Sequence, residues 1–264
     1  MCNLETYNTY PDILYYNYKL HTTLLEYTKR LKNHMINNTC IVIPAYNNPK
    51  TIQSVINDVL KLNLPLIVID DGSDIHISDI VEVNPLLTII RHKINKGKGQ
   101  AILTAAREAK EQKFEFILTI DGDGQHYPDE SKHILPLLNN NAIVIGNRKF
   151  KEDVPSASKF GRAFSNFWVF VETGRWLHDT QSGFRGYPIS ILDLELKHSY
   201  YDFEIEIIVK HLWEKRPIRE VDIEVYYPPH GERVSHFNKV KDNIRLSKIH
   251  TTLVIQNILR LFRF

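Results

Sequence analysis

The sequence has little of several things. It has two cysteines, Cys2 and Cys40, two methionines and eleven glycines in 264 residues. Two thiols cannot make a disulfide framework, and no CxxC or Cys/His spacing for zinc is present. Free thiols in a reducing compartment are the expectation. Neither sign of charge dominates, with 33 Lys and Arg against 31 Asp and Glu, so general nucleic-acid binding has no electrostatic footprint. Long apolar runs are missing too. Leu64–Ile69 and Phe116–Leu118 fall far short of the ~20 residues that span a bilayer. The polar start, Met1 to Tyr10, lacks a basic region followed by an apolar one. The expected location is the cytoplasm, or the cytoplasmic face of a membrane as a peripheral protein.

What is present is ordinary globular composition, 43% hydrophobic and 24% charged, which excludes collagen-like and wholly disordered chains. Residues 1–38 form a glycine-free block in which Ile13, Leu14, Leu20, Leu24, Leu25 and Leu31 fit one helical stripe. This N-terminal helical extension is a packing element, or a docking or dimerisation arm. From Thr39 on, short β-rich runs alternate with helical ones. Cys40–Ile43, Leu66–Ile69, Leu87–Ile90, Phe116–Ile120 and Ala142–Ile145 read as strands; Lys50–Leu60, Gly99–Gln112 and Pro128–Asn139 read as helices. Residues 150–180 read as a loop and helix, Tyr201–Lys215 as a helix, Ile218–Tyr226 as a strand and Asp242–Phe262 as a terminal helix. The expectation is an α/β fold, a doubly wound, mostly parallel sheet flanked by helices, with 39–264 as one domain.

In such sheets ligands sit beyond the carboxyl ends of the strands. The segments there are polar: Pro44-Ala45-Tyr46-Asn47, Asp70-Asp71-Gly72-Ser73, Asp121-Gly122-Asp123-Gly124-Gln125-His126 and Gly146-Asn147-Arg148. Two aspartates two residues apart past a strand suit a hard divalent cation, Mg²⁺ or Mn²⁺, bound mainly through a substrate's phosphates. A hydrogen-bonded turn is the plainer alternative. Asn95-Lys96-Gly97-Lys98-Gly99 opens a helix where N–H groups and lysines favour an anion, but it has neither Walker A nor dinucleotide spacing.

Together, and in this order, these four motifs resemble family 2 glycosyltransferases of GT-A fold, most of all the dolichyl- and polyprenyl-phosphate sugar transferases. The resemblance spans about Thr39 to Leu246. It implies a nucleotide-sugar donor, UDP- or GDP-linked, with Pro44, Ala45, Tyr46, Asp70 and Asp71 lining the nucleoside pocket and Lys96 and Gly97 nearby. It implies a metal held by Asp121, Asp123 and Gln125. Where many relatives carry Glu, this sequence has Asn48, which leaves the nucleobase open.

Asp179-Thr180-Gln181-Ser182-Gly183-Phe184-Arg185-Gly186-Tyr187 resembles a further block of the same subgroup, and Ser182 within it is assigned to the acceptor. Arg148, Arg162 and Arg185 are candidates to converge on an acceptor phosphate, since guanidinium matches phosphate oxygens bidentately. A phosphate acceptor needs no general base; for a hydroxyl acceptor Asp179 is the candidate base. The run Tyr226–Phe237 resembles a loop that covers the active site in bacterial relatives, with Arg233 and His236 as acceptor contacts. The leading expectation is an inverting, metal-dependent hexosyltransferase acting on polyprenyl phosphate. Transfer to a hydroxyl of a glycolipid or saccharide, or a non-catalytic nucleotide-sugar-binding module, are the alternatives. The net charge of +2 conceals a segregation. Gly231–Phe264 carries seven Lys and Arg against two acids, a basic amphipathic end suited to an anionic membrane surface.

Overall fold

The first strand, β1 (Thr39–Ala45), is apolar along almost its whole length and buried on both sides, the pattern of a strand in the middle of a parallel sheet. In the computed structural model it pairs in parallel with β2 (Leu66–Asp70) on one side and β4 (Phe116–Thr119) on the other. The structure describes residues 26, 30, 33–149, 156–226 and 239–261, with the side chains of 156–158, 239–243 and 261 left aside. The stripe expected within residues 13–31 lies outside the described residues; residues 33–37 are helical and lead directly into β1.

The sheet has seven strands in the order β3-β2-β1-β4-β6-β5-β7, with β3 at Leu87–Arg91, β5 at Ile143–Arg148, β6 at Arg185–Pro188 and β7 at Ile218–Ile223. All pairings are parallel except those of β6, which runs antiparallel to both β4 and β5. Helix α1 (Ile52–Leu60) places Ile52, Val55, Ile56 and Val59 on one buried stripe, the i, i+3, i+4, i+7 pattern of an amphipathic helix. Helix α2 (Lys98–Glu111) packs through Ala101, Ala105, Ala106 and Ala109. A short turn, α3 (Ser131–Ile134), is followed by α4 (Ser156–Thr173), α5 (Phe203–Trp213) and α6 (Lys239–Leu261).

Two apolar layers result. One joins α2, α5 and α6 to a face of the sheet through Ile102, Phe203, Ile207 and Ile249; the other joins α1 and α3 to the opposite face through Ile41, Val55, Leu118 and Ile134. The mostly parallel sheet between helices agrees with the expected architecture.

Three local expectations are corrected. Pro128–Asn139 is not one helix but a 3₁₀ turn, α3 and a second 3₁₀ turn, because Pro136 has no N–H for the helical ladder. The strand expected over Ile218–Tyr226 stops at Ile223, with Val225 in an isolated bridge to His126. The segment Arg185–Pro188, read as part of an acceptor motif, is a fully buried strand.

Candidate functional site

The carboxyl ends of β1 and β2 lie side by side, with Ala45 opposite Asp70. Asp70 is buried, and its carboxylate accepts the N–H groups of Ser73 (2.8 Å) and Ile77 (3.3 Å) and a hydrogen bond from Arg91. Burial alone would raise its pKa, but these donors bring it below the usual carboxylate range. Asp71 next to it is buried too. It meets His92 Nδ1 at 2.6 Å and accepts the N–H groups of Lys96 (2.9 Å) and Gly97 (2.7 Å). Both aspartates therefore fix the loops that wall this end of the sheet. Gly97 has φ +93, and a Cβ there would meet Ser199 and Tyr200, so the 95–97 loop reaches Asp71 only with glycine. Pro44 and Ala45 end β1 beside this wall; Tyr46 is half-buried, and its N–H donates to Asn48 Oδ1 at 3.2 Å. The side chain of Lys96 is exposed.

Past β4, Lys98 at the first position of α2 extends to the carboxylate run. Its Nζ lies 2.7 Å from Asp121 Oδ1 and 2.9 Å from Glu204 Oε1. Burial opposes the charge on Lys98, but the two carboxylates hold its pKa well above the ordinary value. For Asp121 burial is likewise outweighed, chiefly by Lys98, and its pKa falls to about 2. Gly183 packs directly on this carboxylate, and a Cβ there would collide with it. His126 folds back so that its Nδ1 accepts the Asp121 N–H at 3.4 Å, the proton being assigned to Nε2 on that geometry. Burial pushes His126 down to about 4, so it is neutral at pH 7. Asp123 is half-buried, and its Oδ1 accepts the Gln125 N–H at 3.0 Å; Gln125 itself is buried.

The donor chemistry in this turn is two carboxylates and a carboxamide, all oxygen. Among the described residues no group of three or more His, Cys, Asp or Glu could hold a metal by itself. The set fits a hard cation completed by substrate oxygens, as Mg²⁺ and Mn²⁺ prefer, and does not fit a protein-only metal cage.

The third part lies at the end of β5. Arg148 holds Asp179 with Nε at 2.7 Å and Nη2 at 2.9 Å, while its own N–H donates to the same carboxylate at 3.2 Å. Arg162 on α4 donates to the Arg148 carbonyl at 3.0 Å and sits 3.6 Å from Asp179. Arg148 and Arg162 are thus brought together, both partly exposed, around a carboxylate with no accessible surface. Burial would raise the Asp179 pKa, but Arg148 and Arg162 bring it below the usual value. Two expectations change here. Asp179 is not placed as a proton acceptor, because its oxygens are enclosed and occupied by guanidinium. Arg185 does not join the other two arginines. It is fully buried in β6 and donates to the carbonyls of Ser182 (2.5 Å), Thr180 (2.8 Å) and Glu204 (2.9 Å), so it knits the 179–185 loop to α5. Ser182 is also fully buried, with its hydroxyl on the Phe184 N–H at 3.4 Å. Arg233 and His236 lie outside the described residues.

Reading the sequence passed over Lys98, Glu204 and His126. For Lys98 a signal was present: it stands in the glycine-rich run already singled out, one residue beyond Gly97. His126 likewise ends the Asp121–His126 run already quoted, with no role assigned to it. Glu204 had no signal, since only the packing of α5 brings it in.

The chain is similar to several known proteins. The family described as Glycosyl transferase family 2 matches residues 40–195. A UDP-N-acetylglucosamine–dolichyl-phosphate N-acetylglucosaminyltransferase of Methanococcus voltae is 30% identical over 213 residues, 71% of this chain and 85% of that protein. An undecaprenyl-phosphate mannosyltransferase of Micrococcus luteus is 22% identical over 197 residues, 69% of this chain and 81% of its own. Among solved structures, glucosyl-3-phosphoglycerate synthase of Mycobacterium tuberculosis, with Mn²⁺, UDP-glucose and glycerol 3-phosphate bound, matches with a TM-score of 0.61 at 18% identity. It covers 83% of this chain and 79% of that one, and the likeness establishes the GT-A fold. With the family match extending over more than half its length, the chain belongs to glycosyl transferase family 2.

Proposed function

We propose that this glycosyltransferase moves a hexose from a UDP- or GDP-sugar to a polyprenyl phosphate, with inversion and with a divalent cation. The observation that carries the reading is the pairing of Arg148 and Arg162, both partly exposed, around buried Asp179, on the sheet edge that also carries Asp121 and Asp123. In this reading the arginines receive the acceptor phosphate, and the carboxylates on the same edge receive the cation that neutralises the donor diphosphate. The names of the Methanococcus voltae and Micrococcus luteus relatives, both acting on polyprenyl phosphates, support the acceptor class.

In this mechanism the nucleoside lies against the wall that Asp70 and Asp71 hold in shape, near Tyr46 and Asn48. Asp123, with Asp121 and Gln125 alongside, would hold Mg²⁺ or Mn²⁺, which would supply charge neutralisation for the departing diphosphate. Lys98 keeps Asp121 ionised and fixed in place. Arg148 and Arg162 orient the acceptor phosphate. One of its oxygens, already ionised, attacks the anomeric carbon. The new O–C bond forms as the bond to the nucleoside diphosphate breaks from the opposite face, and the electron pair leaves with the diphosphate. No proton has to be removed. The hydroxyl-acceptor alternative needs a base, and the enclosure of Asp179 weighs against it.

The test is transfer from UDP-N-acetylglucosamine, UDP-glucose and GDP-mannose to dolichyl or undecaprenyl phosphate, with Mn²⁺, Mg²⁺ or chelator. Lipid-linked product that disappears with chelator and in Asp123→Ala is expected. Undiminished transfer in Asp123→Ala, or transfer to alcohols in preference to phosphates, overturns the reading. A thermal-shift screen of the same donors checks the donor assignment separately, since a bound ligand stabilises the native state.

A further inference from the structure

Helix α4 has one face that the described residues leave uncovered. Phe160, Phe164, Phe167 and Val171 are all exposed, with Phe170 on the flank and Trp176 just beyond the helix. Spacings of four, three and four residues put the first four on a single stripe, while Ser165, Val169 and Glu172 face inward. Large exposed aromatics in a contiguous line mark an interaction surface rather than ordinary surface scatter. The stripe continues towards α6 through rings: Phe164 meets His250 edge-on at 6.2 Å, and Trp168 stacks on the same histidine. On α6, Ile255, Ile258 and Leu259 are exposed.

Charge identifies what the face meets. Lys159, Arg175, Lys248 and Arg260 are exposed on these two helices and the turn after α4. The one acid of α4, Glu172, is buried, 2.8 Å from His250 Nδ1. Exposed rings bordered by cations, with no exposed acid on α4, match the boundary between acyl chains and anionic headgroups. A second copy of the chain fits worse, because a two-fold contact would set these cations against one another. The stripe also has a direction. Arg162 lies two residues, about half a helical turn, from both Phe160 and Phe164, so it stands on the opposite side of α4 and reaches inward to the Arg148 carbonyl near the start of the aromatic line.

We infer that the α4 stripe, with the exposed part of α6, is an interfacial docking surface for an anionic lipid bilayer, which holds the helix that carries Arg162 at the membrane. The inference deepens the lipid-acceptor reading, but lipid binding is measured without any transfer, so the two can fail separately.

The test is co-sedimentation of the full chain with phosphatidylcholine vesicles, with and without phosphatidylglycerol. Wild type binds the anionic vesicles, and its tryptophan emission shifts to the blue as Trp176 leaves water. Phe160→Ser with Phe167→Ser changes two exposed rings, so folding is retained and circular dichroism checks it. This variant binds vesicles at least about tenfold more weakly, as expected for losing buried apolar area, and retains transfer to a short-chain, water-soluble polyprenyl phosphate. Equal vesicle binding by variant and wild type overturns the inference. So does a wild type that ignores anionic vesicles, or one that forms dimers which the double substitution dissociates. Vesicle binding without any transferase activity leaves the surface standing and removes the acceptor reading instead.

Discussion

The ammonium group of Lys98 sits 2.7 Å from Asp121 and 2.9 Å from Glu204, bridging the carboxylate turn after β4 to helix α5. One cation thus fixes the charge and position of a residue in the diphosphate region from the start of α2. Removing it leaves buried Glu204 and half-buried Asp121 without their shared counter-ion. Lys98→Met is expected to destabilise the protein by about 3 kcal/mol, the range for breaking one partner of a buried pair, read by urea unfolding. Lys98→Met combined with Asp121→Asn is expected to recover part of that loss, because a neutral amide needs no counter-ion. A double variant no more stable than the single one contradicts the assigned pairing.

Acid is expected to destabilise the fold over a window set by its depressed carboxylates and by neutral His126. Asp121 and Glu206 are both brought to about 2, and Asp70 and Asp179 are shifted in the same direction. A carboxyl with a folded pKa below its unfolded one contributes stability above the unfolded value, here 3.8 for Asp and 4.5 for Glu. That contribution is lost as pH falls towards the folded value. The two larger shifts correspond to about 2 kcal/mol for Asp121 and about 3 kcal/mol for Glu206. Glu172, raised by burial, has the opposite sign and offsets a part. Unfolding free energies should therefore begin to fall below about pH 6.5, where the unfolded chain protonates His126 and the folded protein keeps it neutral down to about 4, and fall further between about 4 and 2 as the carboxylates protonate. In Asp121→Asn the fall should be shallower.

The carboxylate of Asp179 is expected to act through Arg148 and not as a base. Asp179→Asn keeps one acceptor oxygen for the guanidinium but removes the ion pair. The expected result is a rise in KM for the lipid phosphate of about tenfold, with the pH dependence of kcat unchanged. If Asp179 takes a proton from the acceptor, kcat itself collapses in the variant and the acidic limb of its pH profile disappears.

Most of the sheet was legible because fully buried parallel strands are written as plain apolar runs, as in Ile41-Val42-Ile43 and Leu66-Ile67-Val68-Ile69. The polar stretches after them located the sheet edge for the same reason: the polarity starts where burial ends. Strand β6 was not legible. Arg185-Gly186-Tyr187-Pro188 holds a charge, a glycine and a proline, none of which favours a central strand. It is buried because carbonyls from three other positions satisfy its arginine. The partners of Lys98 were hidden for a different reason. Asp121 and Glu204 lie far along the chain and meet it only through the strand–helix crossovers.

The two arginines once grouped together are expected to behave in opposite ways. Arg185 donates to main-chain carbonyls in a site without solvent, and lysine cannot reproduce a planar fork with several fixed donors. Arg185→Lys should lower stability by about 3 kcal/mol, since buried acceptors lose their partners. Folded protein that remains should bind the acceptor with an unchanged KM. Arg162 is partly exposed and shares Asp179 with Arg148, so Arg162→Ala should leave the melting temperature within a few degrees of wild type. Its KM for lipid phosphate should rise about tenfold, the scale of one charge-assisted phosphate contact. Measuring both variants by thermal melt and by KM separates a guanidinium that holds the fold from one that holds the substrate. Equal profiles for the two contradict the division made at β6.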